Sequence, residues 1–127
     1  MEEELVRILF ERALKITTAE SCTGGLIAAT LVNVPGVSDV FETGYITYSE
    51  ETKMRILGVK RETLEKYTVY SEEVAREMAE GAAKTAGADV ALSVTGIAGP
   101  DGGTPDFPVG LCCLLYTSPS PRDMRRS

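Results

Sequence analysis

An α/β sandwich of three layers, with helices on both faces of a mixed central sheet, is the fold class this sequence predicts. Three observations carry it. Stretches with apolar residues at helical spacing alternate along the chain with short β-branched runs. Turn signals such as Pro35-Gly36, Gly58 and Gly87 fall where one stretch gives way to the next. The segment Thr17-Thr18-Ala19-Glu20-Ser21-Cys22-Thr23-Gly24-Gly25-Leu26 reads as strand, tight turn and helix, the joint from which such folds are built.

The elements follow in order. Leu5, Ile8, Leu9, Ala13 and Leu14 recur at helical spacing and predict a helix over 3–14. Ile16–Ala19 is a short strand, and Gly24–Val32 a helix that ends before Asn33-Val34-Pro35-Gly36. Phe41–Tyr48 alternates as a strand does and holds β-favouring Tyr45, Ile46, Thr47 and Tyr48. An antiparallel pairing of this strand with a neighbour would make the sheet mixed. Glu50–Leu57 is a short helix closed by Gly58, and Arg61–Lys66 a further helical turn. Ser71 with Glu72 and Glu73 opens a long helix that runs to Ala86 and stops at Gly87. Asp89–Thr95 is apolar enough for a buried strand. Gly96–Pro108 is a loop, and Val109–Leu115 another strand.

Composition narrows the function. A chain of 127 residues can form one domain and bury roughly two-thirds of its unfolded surface. A net charge of −6 argues against a basic nucleic-acid-binding face, so any anionic substrate must meet a local cluster of amides and cations. The acidic start Met1-Glu2-Glu3-Glu4, with no long apolar run behind it, predicts no signal peptide, no membrane span and a cytoplasmic location. Cys22, Cys112 and Cys113 are odd in number and lack C-x-x-C spacing, which fits neither a disulfide framework nor a zinc site. Histidine is absent, so hydrolytic chemistry within the chain must rest on Ser, Thr, Lys, Tyr or carboxylates.

Three segments can carry that chemistry. In Glu20-Ser21-Cys22-Thr23-Gly24-Gly25, unpaired amides at a helix start can hold an anion or present a nucleophile, and the glycines let substrate approach the backbone. The bland alternative is a helix cap. Ser21 is favoured as the nucleophile over Cys22, whose thiol has Glu20 beside it. In Gly44-Tyr45-Ile46-Thr47-Tyr48-Ser49-Glu50-Glu51-Thr52-Lys53, Ser49 caps a helix and Lys53 is a surface lysine, a phosphate ligand or a general base. The last role requires a pKa lowered by roughly 3 units, which burial against Tyr45 or Tyr48 would favour. In Ser93-Val94-Thr95-Gly96-Ile97-Ala98-Gly99-Pro100, Thr95 offers a hydroxyl and Gly96 and Gly99 offer amides at the carboxyl end of a strand. A flexible surface loop is the alternative there, and the segment is neither a Walker A loop nor a dinucleotide fingerprint.

Taken together, Glu20-Ser-Cys-Thr-Gly-Gly25, Tyr48-Ser-x-x-x-Lys53 and Thr95-Gly-Ile-Ala-Gly-Pro100 resemble the C-terminal domain of the competence/damage-inducible protein A (CinA) family. The resemblance runs from Leu5 to Gly110 and includes Pro35-Gly36-Val37-Ser38 and Met78-Ala79-Glu80-Gly81. Members are known as nicotinamide-nucleotide amidohydrolases. The resemblance thus implies deamidation of nicotinamide mononucleotide to nicotinate mononucleotide and ammonia, with no metal or organic cofactor. Ser21 would attack the amide carbon or position water, with Lys53 as the base. Thr95 and the amides of Cys22, Thr23, Gly24 and Gly25 would stabilise the oxyanion or grip the phosphate. Tyr45 and Tyr48 would stack on the pyridinium or tune Lys53. Glu20, Gly96 and Gly99 would line the substrate. A non-catalytic nucleotide-binding or regulatory module is the other reading. A buried Lys53 within reach of Ser21 favours catalysis, and an exposed one favours binding.

The resemblance also implies a further strand and a closing helix, with an arginine-bearing segment near the site. The end of this chain does not match that pattern. It carries Pro119, Pro121 and three arginines against one aspartate. The expectation is therefore a sandwich truncated at its C-terminus, a domain over 1–111, and a tail over 112–127 that is disordered or foreign to the gene. Such a domain would leave apolar sheet uncovered, so a homo-oligomer is an open possibility. The partners expected are a small nucleotide substrate, no nucleic acid and no membrane.

Overall fold

In a computed structural model of the chain, residues 1–97 and 110–117 are described. Helix α1 spans Glu2–Glu11 and buries Val6 and Leu9. It stops short of residue 14 because Ala13 takes a positive φ of 54° and turns the chain into strand β1, Ile16–Glu20. All of β1 is buried, as expected of a strand with a neighbour on each side. Helix α2 spans Leu26–Val32. It begins two residues later than its glycines suggest. Gly24 and Gly25 take φ of 60° and 106°, values that glycine tolerates and that belong to the turn.

A 3₁₀ turn at Val37–Asp39 leads into strand β2, Phe41–Ile46. Helix α3 spans Glu50–Leu57, with the Ser49 hydroxyl accepting from the Thr52 amide and Gly58 closing the helix in the left-handed conformation. Helix α4 spans Arg61–Tyr67. Helix α5 spans Glu72–Ala86, capped by Ser71 and stopped by Gly87. Strands β3, Val90–Ile97, and β4, Gly110–Thr117, complete the sheet.

The strand order is β2-β1-β3-β4. β1 pairs parallel with both β2 and β3, with Glu20 opposite Ile46 on one side and Val94 on the other. β4 pairs antiparallel with β3, from Val90 opposite Thr117 to Ile97 opposite Gly110. The sheet is therefore mixed, but the antiparallel pair is β3 with β4. Strand β2 runs parallel to β1, because α2 carries the chain back across the sheet before β2 begins. The sheet also runs past the boundary expected at residue 111. Residues 112–117 belong to β4, while 118–127 lie outside the described residues.

Two apolar clusters define the layers. Val6, Leu9 and Leu31 from α1 and α2 pack with Ile16, Val40 and Val90 on one face. Leu57, Leu64, Val74, Met78 and Ala82 from α3, α4 and α5 pack with Ala19 and Ala91 on the other. Gly81 allows α5 to lie directly against α3, since a Cβ there would sit 1.7 Å from the Leu57 carbonyl oxygen. Among the described residues no helix is long and apolar enough to cross a membrane.

Candidate active site

Strand alternation sorts the residues at the end of β1. Ile16 faces the α1/α2 layer and Ala19 the α3–α5 layer. Glu20 is therefore directed toward α2 and Ser21 toward α3. Lys53 reaches Ser21 from the first turn of α3.

The Lys53 side chain is fully buried, and its Nζ donates to Ser21 Oγ at 2.8 Å. Two backbone carbonyls complete its surroundings, Thr47 O at 2.6 Å and Tyr48 O at 3.5 Å. Burial lowers the Lys53 pKa from 10.5 to about 8, opposed by the negative charge of Glu50 and by Cys22. Ser21 is 7% exposed, so the pair sits just beneath the surface. The Ser21 amide is fixed to the Val94 carbonyl at 3.0 Å, which ties the Ser21 position to β3.

The turn after Ser21 is organised from the other side of the sheet. The Glu20 carboxylate is fully buried and accepts four hydrogen bonds. Oε1 takes the Thr23 hydroxyl at 2.7 Å, the Gly25 amide at 3.2 Å and the Ile27 amide at 2.9 Å. Oε2 takes the Ala28 amide at 2.9 Å. Glu20 is thus the anion at the start of α2. Its carboxylate is turned to the α2 amides and the Thr23 hydroxyl, and those donors are committed to it. Gly24 donates to the Ser21 carbonyl and Leu26 to the Thr23 carbonyl. Among the described residues, this leaves the Cys22 and Thr23 N–H groups as the uncommitted backbone donors between Ser21 and Ala28.

The remaining expected residues divide. The Cys22 thiol is free and half-buried. Thr95 stands at the end of β3, buried, with its hydroxyl donating to the Val69 carbonyl at 2.9 Å. It holds the α4–α5 connection over this end of the sheet. Tyr48 is 72% exposed, so its ring does not bury Lys53, and the carbonyl does the holding instead. Tyr45 is half-buried and packs against the core of the α3–α5 layer. Gly96 lies within β3 opposite Leu111, and Gly99 lies outside the described residues. The Thr47 carbonyl, not expected from the sequence, is the shortest contact of Lys53. No side-chain signal could have found it, because any residue there supplies the same oxygen.

A groove of about 460 Å³ between α3 and α5 does not include Ser21 or Lys53. Among the described residues no cluster of three or more His, Cys, Asp or Glu is placed to hold a metal ion.

The family model of the CinA C-terminal domain matches residues 1–127. The chain belongs to the CinA C-terminal domain family. It is 60% identical over 119 residues to a CinA-like protein of Kosmotoga olearia, covering 93% of this chain and 29% of that protein. A competence-damage inducible protein of Clostridium botulinum is 60% identical over 117 residues, 91% of this chain and 29% of its own length. The chain thus spans under a third of these curated relatives. The crystal structure of a competence or damage-inducible protein from Enterobacter asburiae superposes with a TM-score of 0.87 at 38% identity, over 91% of this chain and 74% of that one. A competence/damage inducible protein from Agrobacterium tumefaciens does so at 0.79 and 40% identity, over 91% and 79%. The α/β architecture is therefore that of solved CinA structures.

Proposed function

We propose that this domain is an amidohydrolase of the serine/lysine type that deamidates nicotinamide mononucleotide to nicotinate mononucleotide and ammonia. The observation that carries the reading is the 2.8 Å contact between buried Lys53 Nζ and Ser21 Oγ in a chain without histidine. A lysine that merely bound phosphate would gain nothing from losing its charge. A lysine whose pKa is lowered to about 8 is poised to exchange a proton near neutrality.

The geometry supports a specific sequence of steps. Neutral Lys53 has two N–H bonds and one lone pair. The carbonyls of Thr47 and Tyr48 take the two N–H bonds, which turns the lone pair toward the Ser21 hydroxyl. With a pKa one unit above pH 7, about a tenth of the lysine is in this form at that pH. Ser21 Oγ attacks the carboxamide carbon and its proton passes to Lys53. The developing oxyanion is met by the Cys22 and Thr23 N–H groups. Lys53 returns the proton to the departing nitrogen, ammonia leaves, and a serine ester remains. Water, deprotonated by Lys53, then cleaves the ester and restores Ser21. The substrate phosphate is received away from the α2 amides, which Glu20 occupies.

The test is release of ammonia and nicotinate mononucleotide from nicotinamide mononucleotide by the purified chain and by Ser21→Ala. Turnover should be abolished in the variant with the fold kept. The wild-type rate should climb with pH, half-maximal near 8, toward a plateau about a unit higher as Lys53 loses its proton. Near-normal turnover in Ser21→Ala would overturn the reading. Tight nucleotide binding with no turnover would favour the binding-module alternative.

A further inference from the structure

We propose that Glu20 is the positioning residue of this site, its carboxylate acting as a built-in anion that fixes the Ser21 turn against Lys53. The inference rests on the serine/lysine reading above and goes beyond it by naming what holds the nucleophile in place.

Besides the Ser21 amide on the Val94 carbonyl and the Gly24 amide on the Ser21 carbonyl, the backbone of the turn has little to define it. Gly24 and Gly25, both at positive φ, supply no side chains, and α2 is only seven residues long. Glu20 stands on the strand side of Ser21, and its four donors stand on the helix side, at Thr23, Gly25, Ile27 and Ala28. One side chain therefore closes a loop around Ser21 and Cys22. Both carboxylate oxygens face N–H or O–H donors, so the site accepts an acceptor at each position and a donor at neither. By committing these amides, Glu20 leaves the Cys22 and Thr23 N–H groups, among the described residues, as the free ones beside Ser21. It also closes the start of α2 to anionic parts of a substrate.

Glu20→Gln tests this at constant shape. The glutamine NH₂ would oppose either the Ala28 amide or the three donors at Oε1, and the turn must shift. The readout is labelling of Ser21 by a fluorophosphonate probe, in which Ser21 Oγ bonds to phosphorus, fluoride leaves and Lys53 takes the proton. Labelling does not depend on which amide is the natural substrate. The expected result is a labelling plateau lowered by about tenfold or more in a folded Glu20→Gln protein, with the pH inflexion of Lys53 unchanged. Thr23→Val removes one donor and leaves the fold in place if Glu20→Gln does not fold. It should lower the plateau by about threefold. A wild-type plateau in either folded variant would overturn the proposal. A shifted inflexion would overturn it too, since Glu20 would then act through charge on Lys53. If Ser21 labels and responds to Glu20 while nicotinamide mononucleotide is untouched, the substrate reading fails and this inference stands. If wild-type Ser21 does not label at all, the serine/lysine reading and this inference fall together.

Discussion

Replacing Lys53 by methionine should make the protein more stable at neutral pH while ending its activity. The folded state holds the Lys53 pKa at about 8 against an ordinary 10.5, because the ammonium is fully buried. A group whose folded pKa lies below its unfolded one binds fewer protons in the folded state between the two values. Stability therefore rises with pH across pH 8 to 10.5, and below pH 8 the whole penalty of burying the charge is present. At 1.36 kcal/mol per unit, that penalty is about 3 kcal/mol at most. Methionine is close in length, carries no charge and fills the same space. It leaves the buried Thr47 carbonyl and the Ser21 hydroxyl without their amine partner, at about 1–3 kcal/mol together. The expected net gain at pH 7 is about 0.5–2 kcal/mol, or up to several degrees in the melting temperature. Urea unfolding of both proteins at pH 7, 9 and 10.5 checks it, because the difference between them cancels the other titrating groups. The advantage of Lys53→Met should be largest at pH 7 and shrink toward pH 10.5. A variant that is less stable at pH 7, or a difference that does not change with pH, would refute the account of Lys53 as a buried, destabilised cation. Retained turnover would refute its role as the base.

Two further outcomes follow from packing and backbone geometry. Gly81→Ala would drive a methyl into the Leu57 carbonyl, and backbone cannot move aside cheaply, so α3 and α5 must separate. A loss of about 2–4 kcal/mol in urea unfolding is expected despite alanine's better helix propensity, and a stability gain would show that the helices are not held at this distance. Thr68 sits at φ 74° and ψ 160° with a buried hydroxyl that has no partner among the described residues, an unfavourable state for a β-branched residue. Thr68→Gly should therefore be neutral or stabilising by about 1 kcal/mol, and a loss of more than that would mean that the side chain contributes packing.

Much of the local structure was legible in the sequence because its signals act over a few residues. Ser49 and Ser71 cap α3 and α5, and Gly58 and Gly87 end them, through hydrogen bonds and φ values that depend on near neighbours alone. The strand–turn–helix at Ser21 was legible for the same reason. Element ends were less so. Ala13 at positive φ cut α1 short, and the turn claimed Gly24 and Gly25 from α2. The antiparallel partner was misplaced, since strand direction depends on how the connections cross the sheet and not on the composition of any strand.

The sequence by itself determined which residue types stand at the end of β1: a carboxylate, a hydroxyl, a thiol and two glycines in a row. It also restricted any hydrolytic chemistry within a chain without histidine to Ser, Thr, Lys, Tyr or carboxylates. Only the tertiary structure decided what each residue touches. Parallel pairing of β1 with β2 and β3 placed one face of β1 against α2 and the other against α3. Alternation along the strand then sent Glu20 to the α2 amides and Ser21 to Lys53, 32 positions away in the chain. The same placement turned Tyr48 outward and left its carbonyl on the lysine. Neighbouring residues along a strand are only about 3.3 Å apart, yet they point into opposite layers. Which layer holds which partner is set by the packing of helices distant in sequence, and no local pattern contains that information.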